Sequence, residues 1–378
     1  MPAILAAFAV ACSDGPAPSN TPKGGPNAPP PSVSVEPTTA SIVVGETVPL
    51  SASVAHGIGD QLGWATSEPD VAAVSASGLV EGRAEGTAVV TATSGEASGS
   101  ASVAVTAASA PPPPPGASAA LVGAGDIASC SSDGDEATAA LLDRFPDATV
   151  FTLGDNAYGD GKAREFADCY EPSWGRHKAR TRPSAGNHDY HTAGASGYYT
   201  YFGASAGDPE RGYYSYDLGA WHIVVLNSNI DMEAGSAQEQ WLRADLAANP
   251  AQCTLAYWHH PRFSSAKHGN SSAVRPLWDA LYEARADVVL SGHDHSYERF
   301  APQMPSGTSD PGRGIRQFVV GTGGKSHYAL TTRQPNSEVF DQTSYGVLKL
   351  TLLATGYAWE FVPVAGAIFR DSGTGECH

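Results

Sequence analysis

Short apolar runs that stop abruptly at Gly, Asp, Asn or His govern the last two-thirds of this chain. Residues 119–124 lead to Gly125-Asp126, and residues 148–153 lead to Gly154-Asp155-Asn156-Ala157-Tyr158. Residues 253–258 lead to His259-His260-Pro261, and residues 286–290 lead to Gly292-His293-Asp294-His295. Gly186-Asn187-His188-Asp189 is a further block of the same kind. Short apolar runs closed by turn residues read as buried strands, and an α/β fold carries its site on the loops that follow them. Residues 221–226 add another strand; residues 317–320, 347–353 and 357–362 add more toward the C-terminus. Residues 137–145 and 236–248 predict helices. In the second, Ser236 and Glu239 form a capping box, Trp241, Leu242 and Leu246 share a face, and Asn249-Pro250 ends the pattern.

The first third is organised differently. Residues 1–12 are an apolar leader without a positive start, too short to span a bilayer. The run Ala9-Val10-Ala11-Cys12 resembles a bacterial lipoprotein cleavage site, with Ala9 where leucine is usual. Its cysteine would be lipidated and would tether the chain to a membrane. Residues 13–32 are a Pro/Ser/Gly/Asn-rich linker. Residues 33–107 hold short β-branched runs punctuated by Gly45, Gly78, Gly82 and Gly86, which predicts a small β-sandwich. Pro37, Gly45-Glu46-Thr47, Trp64-Ala65-Thr66-Ser67, Val71 to Ser75, Gly78-Leu79-Val80 and Gly86-Thr87-Ala88 resemble the bacterial Ig-like group 2 module. That resemblance implies a spacer, or a contact with a cell surface. No polar cluster in the module suggests a site of its own. Five consecutive prolines lie within residues 108–117 and form a stiff polyproline II spacer. The catalytic domain is expected over residues 118–378.

Charge narrows the partners. Lys plus Arg is 22 against 39 Asp plus Glu, a formal net charge of −17. Such a field repels nucleic acid and anionic membrane, so a polyanionic partner held by surface charge is not expected, and any small anionic substrate must be drawn in locally. The leader and the cysteines place the chain outside the cytoplasm, secreted or on the outer surface or in the periplasm. Besides Cys12 there are Cys130, Cys169, Cys253 and Cys377, enough for two disulfides in any of three pairings. Cys130 and Cys169 each follow one of the first two loops, on strands expected to be neighbours. The expected pairs are therefore Cys130–Cys169 and Cys253–Cys377.

The five blocks together supply two carboxylates, a tyrosine, an amide and three histidines. This is a ligand set for two adjacent metals, about 3.5–4 Å apart in enzymes that cleave phosphate esters. In their order the blocks resemble the calcineurin-like metallophosphoesterases. That wider family usually begins Asp-x-His, but position 128 here is Ala. Tyr158, three residues after Asp155, instead resembles the Gly-Asp-x-x-Tyr of the purple acid phosphatases, where tyrosine takes the vacated place. Ser296-Tyr297-Glu298-Arg299, Gln240-Trp241-Leu242 and Gly321-Thr322-Gly323-Gly324 are similar to that branch too. Ala128 and Asp189 depart from its usual glycine and glutamate.

The resemblance implies a four-layer αββα sandwich. It implies a first metal on Asp126, Asp155, Tyr158 and His295, and a second on Asp155, Asn187, His259 and His293, with Asp155 shared. Phenolate favours Fe(III) at the first; Zn(II), Mn(II) or Fe(II) suits the second. His188, beside a ligand, and His268, nine residues after His259, would bind phosphate and assist the leaving group. The implied reaction is hydrolysis of phosphate monoesters by metal-activated hydroxide. A phosphodiesterase or nucleotidase on the same centre is the nearest alternative, and an adhesion protein with a non-catalytic metal site is a different class.

Other residues carry plainer expectations. His260 supports its neighbour, His191 is surface, and His177 and His222 are hydrogen-bonded residues of the fold. Residues 198–202 and 213–216 read as half-buried aromatic hairpin packing. Arg262 and Lys267 are either exposed or near phosphate. Tyr297-Glu298-Arg299 would orient the histidine loop.

Overall fold

The computed structural model describes residues 30–56, 62–84, 86–106 and 118–378. The leader with Cys12, nearly all of the 13–32 linker and the 108–117 spacer lie outside the described residues. The chain divides into two compact units near residue 109.

The N-terminal unit is all β. Strands Thr39–Val43, Ala97–Thr106, Gly86–Ser94 and Gly63–Thr66 form one sheet, and Thr47–Pro49, Leu79–Gly82 and Ala72–Val74 form another. Ser32–Glu36 pairs with Ser51–Ala55. The core between them comprises Val35, Leu50, Val80, Val90 and Val103 among others. Residues 48–54 read as one strand, but the structure breaks them at the buried Leu50 and sends the two halves to different sheets. Alternation cannot show such a change of sheet, because Leu50 keeps the apolar phase while its backbone turns.

The C-terminal unit has two mixed sheets. The first runs Thr181–Ser184, Thr149–Leu153, Ala119–Ala124, Gly346–Leu353, Gly356–Pro363, Ser372–Glu376. The second runs Tyr214–Leu218, Trp221–Val225, Cys253–Tyr257, Val288–Ser291, Arg316–Val320, Tyr297–Phe300, Ser337–Asp341. One continuous core, including Leu121, Val150, Phe151, Trp221, Leu255, Val288 and Phe361, joins the two sheets. The other face of the second sheet (Val224, Ala256, Val289) packs with Leu242 of helix Ala237–Ala248 and with Leu277, Trp278 and Leu281 of helix Arg275–Glu283. On the first sheet, helix Gly134–Leu142 packs on strands Gly346–Leu353 and Gly356–Pro363, so helices lie outside the paired sheets, in the four-layer order expected. Each fully buried large side chain contributes about 1.5–3 kcal/mol. Among the described residues no helix is long and apolar enough to cross a membrane.

Both cystine pairs expected from the sequence are closed, Cys130–Cys169 and Cys253–Cys377. The Ser236 hydroxyl caps its helix by accepting from Glu239 N–H. The returning arm differs, for Glu239 accepts from Gly235 N–H rather than from Ser236.

Two local expectations need correction. The helix expected over residues 137–145 spans Gly134–Leu142. Its first turn is set by tertiary contact: Thr138 Oγ donates to Gly323 O at 2.6 Å, and a Cβ on Gly134 would meet Gly324 O. Residues 198–202 lie in helix Ser196–Phe202, not in a hairpin. Phe202 packs on Phe166 and Tyr170, and this packing overrides the β preference of the aromatics. Only Tyr214 to Tyr216 fit the hairpin, in the strand paired with Trp221–Val225. Helix Arg275–Glu283, with Pro276 in its first turn, was not read from the sequence, because the apolar spacing of residues 277, 278 and 281 is a short signal.

Candidate metal centre

Five strand ends deliver the motif residues to one place. Asp126 follows Ala119–Ala124, Asp155 follows Thr149–Leu153 and Asn187 follows Thr181–Ser184 in the first sheet. His259 follows Cys253–Tyr257 and His293 follows Val288–Ser291 in the second. The two sheets are stitched at these ends, where Gly125 N–H donates to Val320 O at 2.9 Å. Asp126, Asp155 and His293 all adopt left-handed backbone (φ 61°, 50° and 69°), a conformation uncommon for non-glycine residues but more accessible to Asp and His than to most. The motif glycines allow close approach. A Cβ on Gly186 would sit 2.2 Å from Asp155 Oδ1, and one on Gly292 would sit 2.7 Å from Asp126 Oδ2.

Two groups of donor atoms result. In the first, the Tyr158 hydroxyl lies 3.0 Å from Asp126 Oδ1, 3.0 Å from Asp155 Oδ2 and 3.1 Å from His295 Nε2. In the second, His259 Nε2 lies 3.0 Å from Asn187 Oδ1, 3.1 Å from His293 Nδ1 and 3.4 Å from Asp155 Oδ1. Asp155 thus turns one oxygen to each group.

The electrostatics suit cations at both. Burial and the charges of Asp126 and Asp155 push the Tyr158 phenol well above its ordinary range. A phenolate there requires a positive partner. Burial opposes a charged His259, but the Asp155 carboxylate outweighs it and raises the imidazole to about 9. Burial also opposes the Asp155 carboxylate, and the charge of His259 overcomes this and holds it low. Burial, then the charge of His259, keeps His293 neutral. The neutral His293 nitrogen, carboxylate and amide oxygen, and the His259 nitrogen once a cation displaces its proton, crowd at 3.0–3.4 Å and form a donor set that fits first-row metals. Asp126, Asp155 and His259 form one compact group of ligand atoms, and His259, His260 and His293 form another.

Supporting contacts hold these rings. His259 Nδ1 meets Leu153 O at 2.6 Å, and His295 Nδ1 meets Ser326 Oγ at 2.7 Å. Asp126 Oδ2 accepts His293 N–H, and Asp155 Oδ1 accepts His188 N–H, each at 2.8 Å. Asp189 accepts from Gly186 N–H, Asn156 N–H and Asn156 Nδ2, fixing the loop before the Asn187 ligand position. His188 is half-buried with its ring 4.5 Å from that of Tyr158. His268 is exposed, with its ring 4.3 Å from that of His293. The two histidines therefore stand beside different donor groups.

His260 is held by Ser228, whose Oγ is 2.8 Å from its Nδ1. His191 is exposed, near Asp160. His177 and His222 are buried and hydrogen-bonded within the fold. Arg262 donates to Ser271 O and Pro305 O, away from the donor groups. Lys267 is exposed, with Nζ 4.5 Å from the Tyr328 ring centroid. Sequence reading missed Ser326, Ser228 and Tyr328, whose ring stacks on His295 at 3.9 Å. Ser326 and Tyr328 lie just beyond the Gly321–Gly324 run, which was the available signal.

Comparison with known proteins bears on the two domains and their fold. Residues 121–297 match the calcineurin-like phosphoesterase family, and residues 30–105 match the bacterial Ig-like domain (group 2). Purple acid phosphatase 22 of Arabidopsis thaliana is 34% identical over 149 residues, covering 37% of this chain and 34% of that protein. Purple acid phosphatase 21 of the same plant is 34% identical over 150 residues, again covering 34% of its length. The chain thus spans about a third of the curated relatives it matches. The solved structure of purple acid phosphatase PPD1 from yellow lupin seeds superposes with a TM-score of 0.60 at 17% identity, covering 92% of this chain and 69% of that one. At that identity the likeness is one of fold.

Proposed function

We propose that this chain, a calcineurin-like phosphoesterase domain of the purple acid phosphatase-like branch behind a bacterial Ig-like domain, hydrolyses phosphate monoesters outside the cytoplasm. The observation that carries the reading is the pair of donor groups sharing Asp155. Asp126, Asp155, Tyr158 and His295 would hold one metal, best Fe(III). Asp155, Asn187, His259 and His293 would hold the other, as Zn(II), Mn(II) or Fe(II). When bound, two such cations lower the pKa of water toward neutrality and offset charge on a phosphoryl group. His188 and His268, beside different donor groups, would hold phosphoryl oxygens and pass a proton to the departing alkoxide. In a chain of net charge −17, a small phosphate ester has to be attracted by the centre itself.

The Ig-like domain would act as a spacer or cell-surface contact, and Cys12 as a lipidated tether. Turnover of a chromogenic monoester and a chromogenic diester, after loading with iron plus zinc or manganese, tests the reading. Faster monoester turnover is expected. A preference for the diester would move the reading to a phosphodiesterase, and no turnover of either would favour an adhesion protein.

A further inference from the structure

We infer that Asp294, the residue between the two histidines of the Gly292–His295 block, is a positioning residue that sets His268 over the centre. This rests on the phosphoesterase reading above. His268 is exposed, and among the described residues its ring makes no hydrogen bond. The ring only touches other rings, that of His293 at 4.3 Å and that of Tyr328 at 5.4 Å. What holds it is its backbone, and the backbone is held by a buried carboxylate.

Asp294 is fully buried. Its Oδ1 accepts the backbone N–H of His268 at 2.9 Å, and its Oδ2 accepts the Ser264 hydroxyl at 2.5 Å. Ser264 Oγ in turn accepts Ala266 N–H at 3.2 Å, so residues 264–268 wind around one anion. Glu298 grips the adjoining residue, accepting Ser265 N–H at 2.8 Å and the Ser265 hydroxyl at 2.5 Å. Charge-assisted bonds of this kind are roughly twice as strong as neutral ones. One tripeptide therefore offers two imidazoles to the donor groups and spends the carboxylate between them on the loop that carries the proton-passing histidine. A buried carboxylate needs partners wherever it lies. The choice of the His268 amide as partner is what ties it to the site, since a displacement of about 1 Å in a catalytic group costs on the order of 100-fold.

Asp294→Asn keeps the shape but sets an amide N–H₂ against one of the two donors. With an alkyl phosphate, whose leaving group needs a proton, kcat/KM should fall about 10- to 100-fold. With nitrophenyl phosphate, whose leaving group departs as an anion, the loss should be much smaller. Asp294→Asn combined with His268→Ala should be no slower than His268→Ala alone. The His268 imidazole resonance of the metal-free protein, sharp in wild type, should shift or broaden in Asp294→Asn. Should that variant fail to fold, Ser264→Ala removes one anchor and should show the same pattern more weakly. Equal losses on both esters, additive effects with His268→Ala, or an unmoved resonance would overturn the inference. So would a His268→Ala enzyme with full alkyl phosphatase activity, which would leave the phosphoesterase reading intact. Inactivity of the wild type would defeat that reading instead, and the resonance would still decide whether Asp294 positions His268.

Discussion

The carbonyl oxygen of Leu153 lies 2.6 Å from Nδ1 of His259. The last residue of one strand thereby takes the Nδ1 proton and turns Nε2 toward Asn187, His293 and Asp155. His259→Ala should therefore release one metal and spare the other, whereas Asp155→Asn should release both. Elemental analysis of protein purified without chelator reads the difference. Equal losses in the two variants would show that Asp155 is not shared.

Ser326 does for His295 what Leu153 does for His259, through a 2.7 Å contact at Nδ1. Ser326→Ala should weaken metal affinity about 10- to 100-fold, the usual effect of losing such a partner. Competition with a chelator measures this. An unchanged affinity would reduce Ser326 to packing.

Tyr158 has a spectroscopic consequence. Its phenol is pushed up by burial and by Asp126 and Asp155, so it ionises only against a cation. Iron-loaded, oxidised protein should absorb in the visible through tyrosinate-to-iron charge transfer, and Tyr158→Phe should lose that band. Activity should fall less than after Asp155→Asn, because tyrosine serves one donor group only. A colourless iron-loaded wild type would retire the tyrosine ligand.

Cys130, closed to Cys169, directly follows Ala128–Ser129, the short strand that pairs with Ala157–Tyr158. Replacing both cysteines with serine should cost about 2–4 kcal/mol of stability in denaturant unfolding. Metal release should also occur at lower denaturant than global unfolding. A stability change within error would mean the loops are held by their hydrogen bonds alone.

His222 supplies a pH dependence far from the centre. Burial opposes its charged form, but hydrogen bonds to Asp245 and Asp217, 2.9 Å each, prevail and raise its pKa above 6.5. A raised folded pKa contributes stability that is fully present below about 6.5 and is lost as pH rises through the folded value. The stability deficit of His222→Gln should thus be largest at mildly acidic pH and shrink toward alkaline pH. A deficit independent of pH would show that His222 acts uncharged.

Much of this was legible in the chain itself. Apolar runs ending in Gly-Asp, His-His and Gly-His marked strand ends correctly, because strand period and turn residues are local properties. The resemblance to the Gly-Asp-x-x-Tyr of the purple acid phosphatases, carried by Tyr158 three residues after Asp155, is what set that tyrosine against the missing histidine at position 128. The start of helix Gly134–Leu142 was not legible, since Gly323 and Gly324, nearly two hundred residues away, set it. Nor was the helix at Ser196–Phe202, whose aromatics look like strand residues until Phe166 and Tyr170 are beside them.

The sequence by itself determined the kinds of donor atoms, their order and the loops that carry them, because these follow from residue identity and short-range backbone preference. Only the tertiary structure decided which oxygen of the shared Asp155 faces each donor group, Oδ2 the first and Oδ1 the second, and that Ser326 backs His295. It alone showed that Asp294 turns to the His268 loop rather than to the donor groups. Those choices depend on two sheets meeting at their strand ends. That meeting is fixed by the shared core of Leu121, Phe151, Leu255 and Val288, whose packing no local pattern encodes.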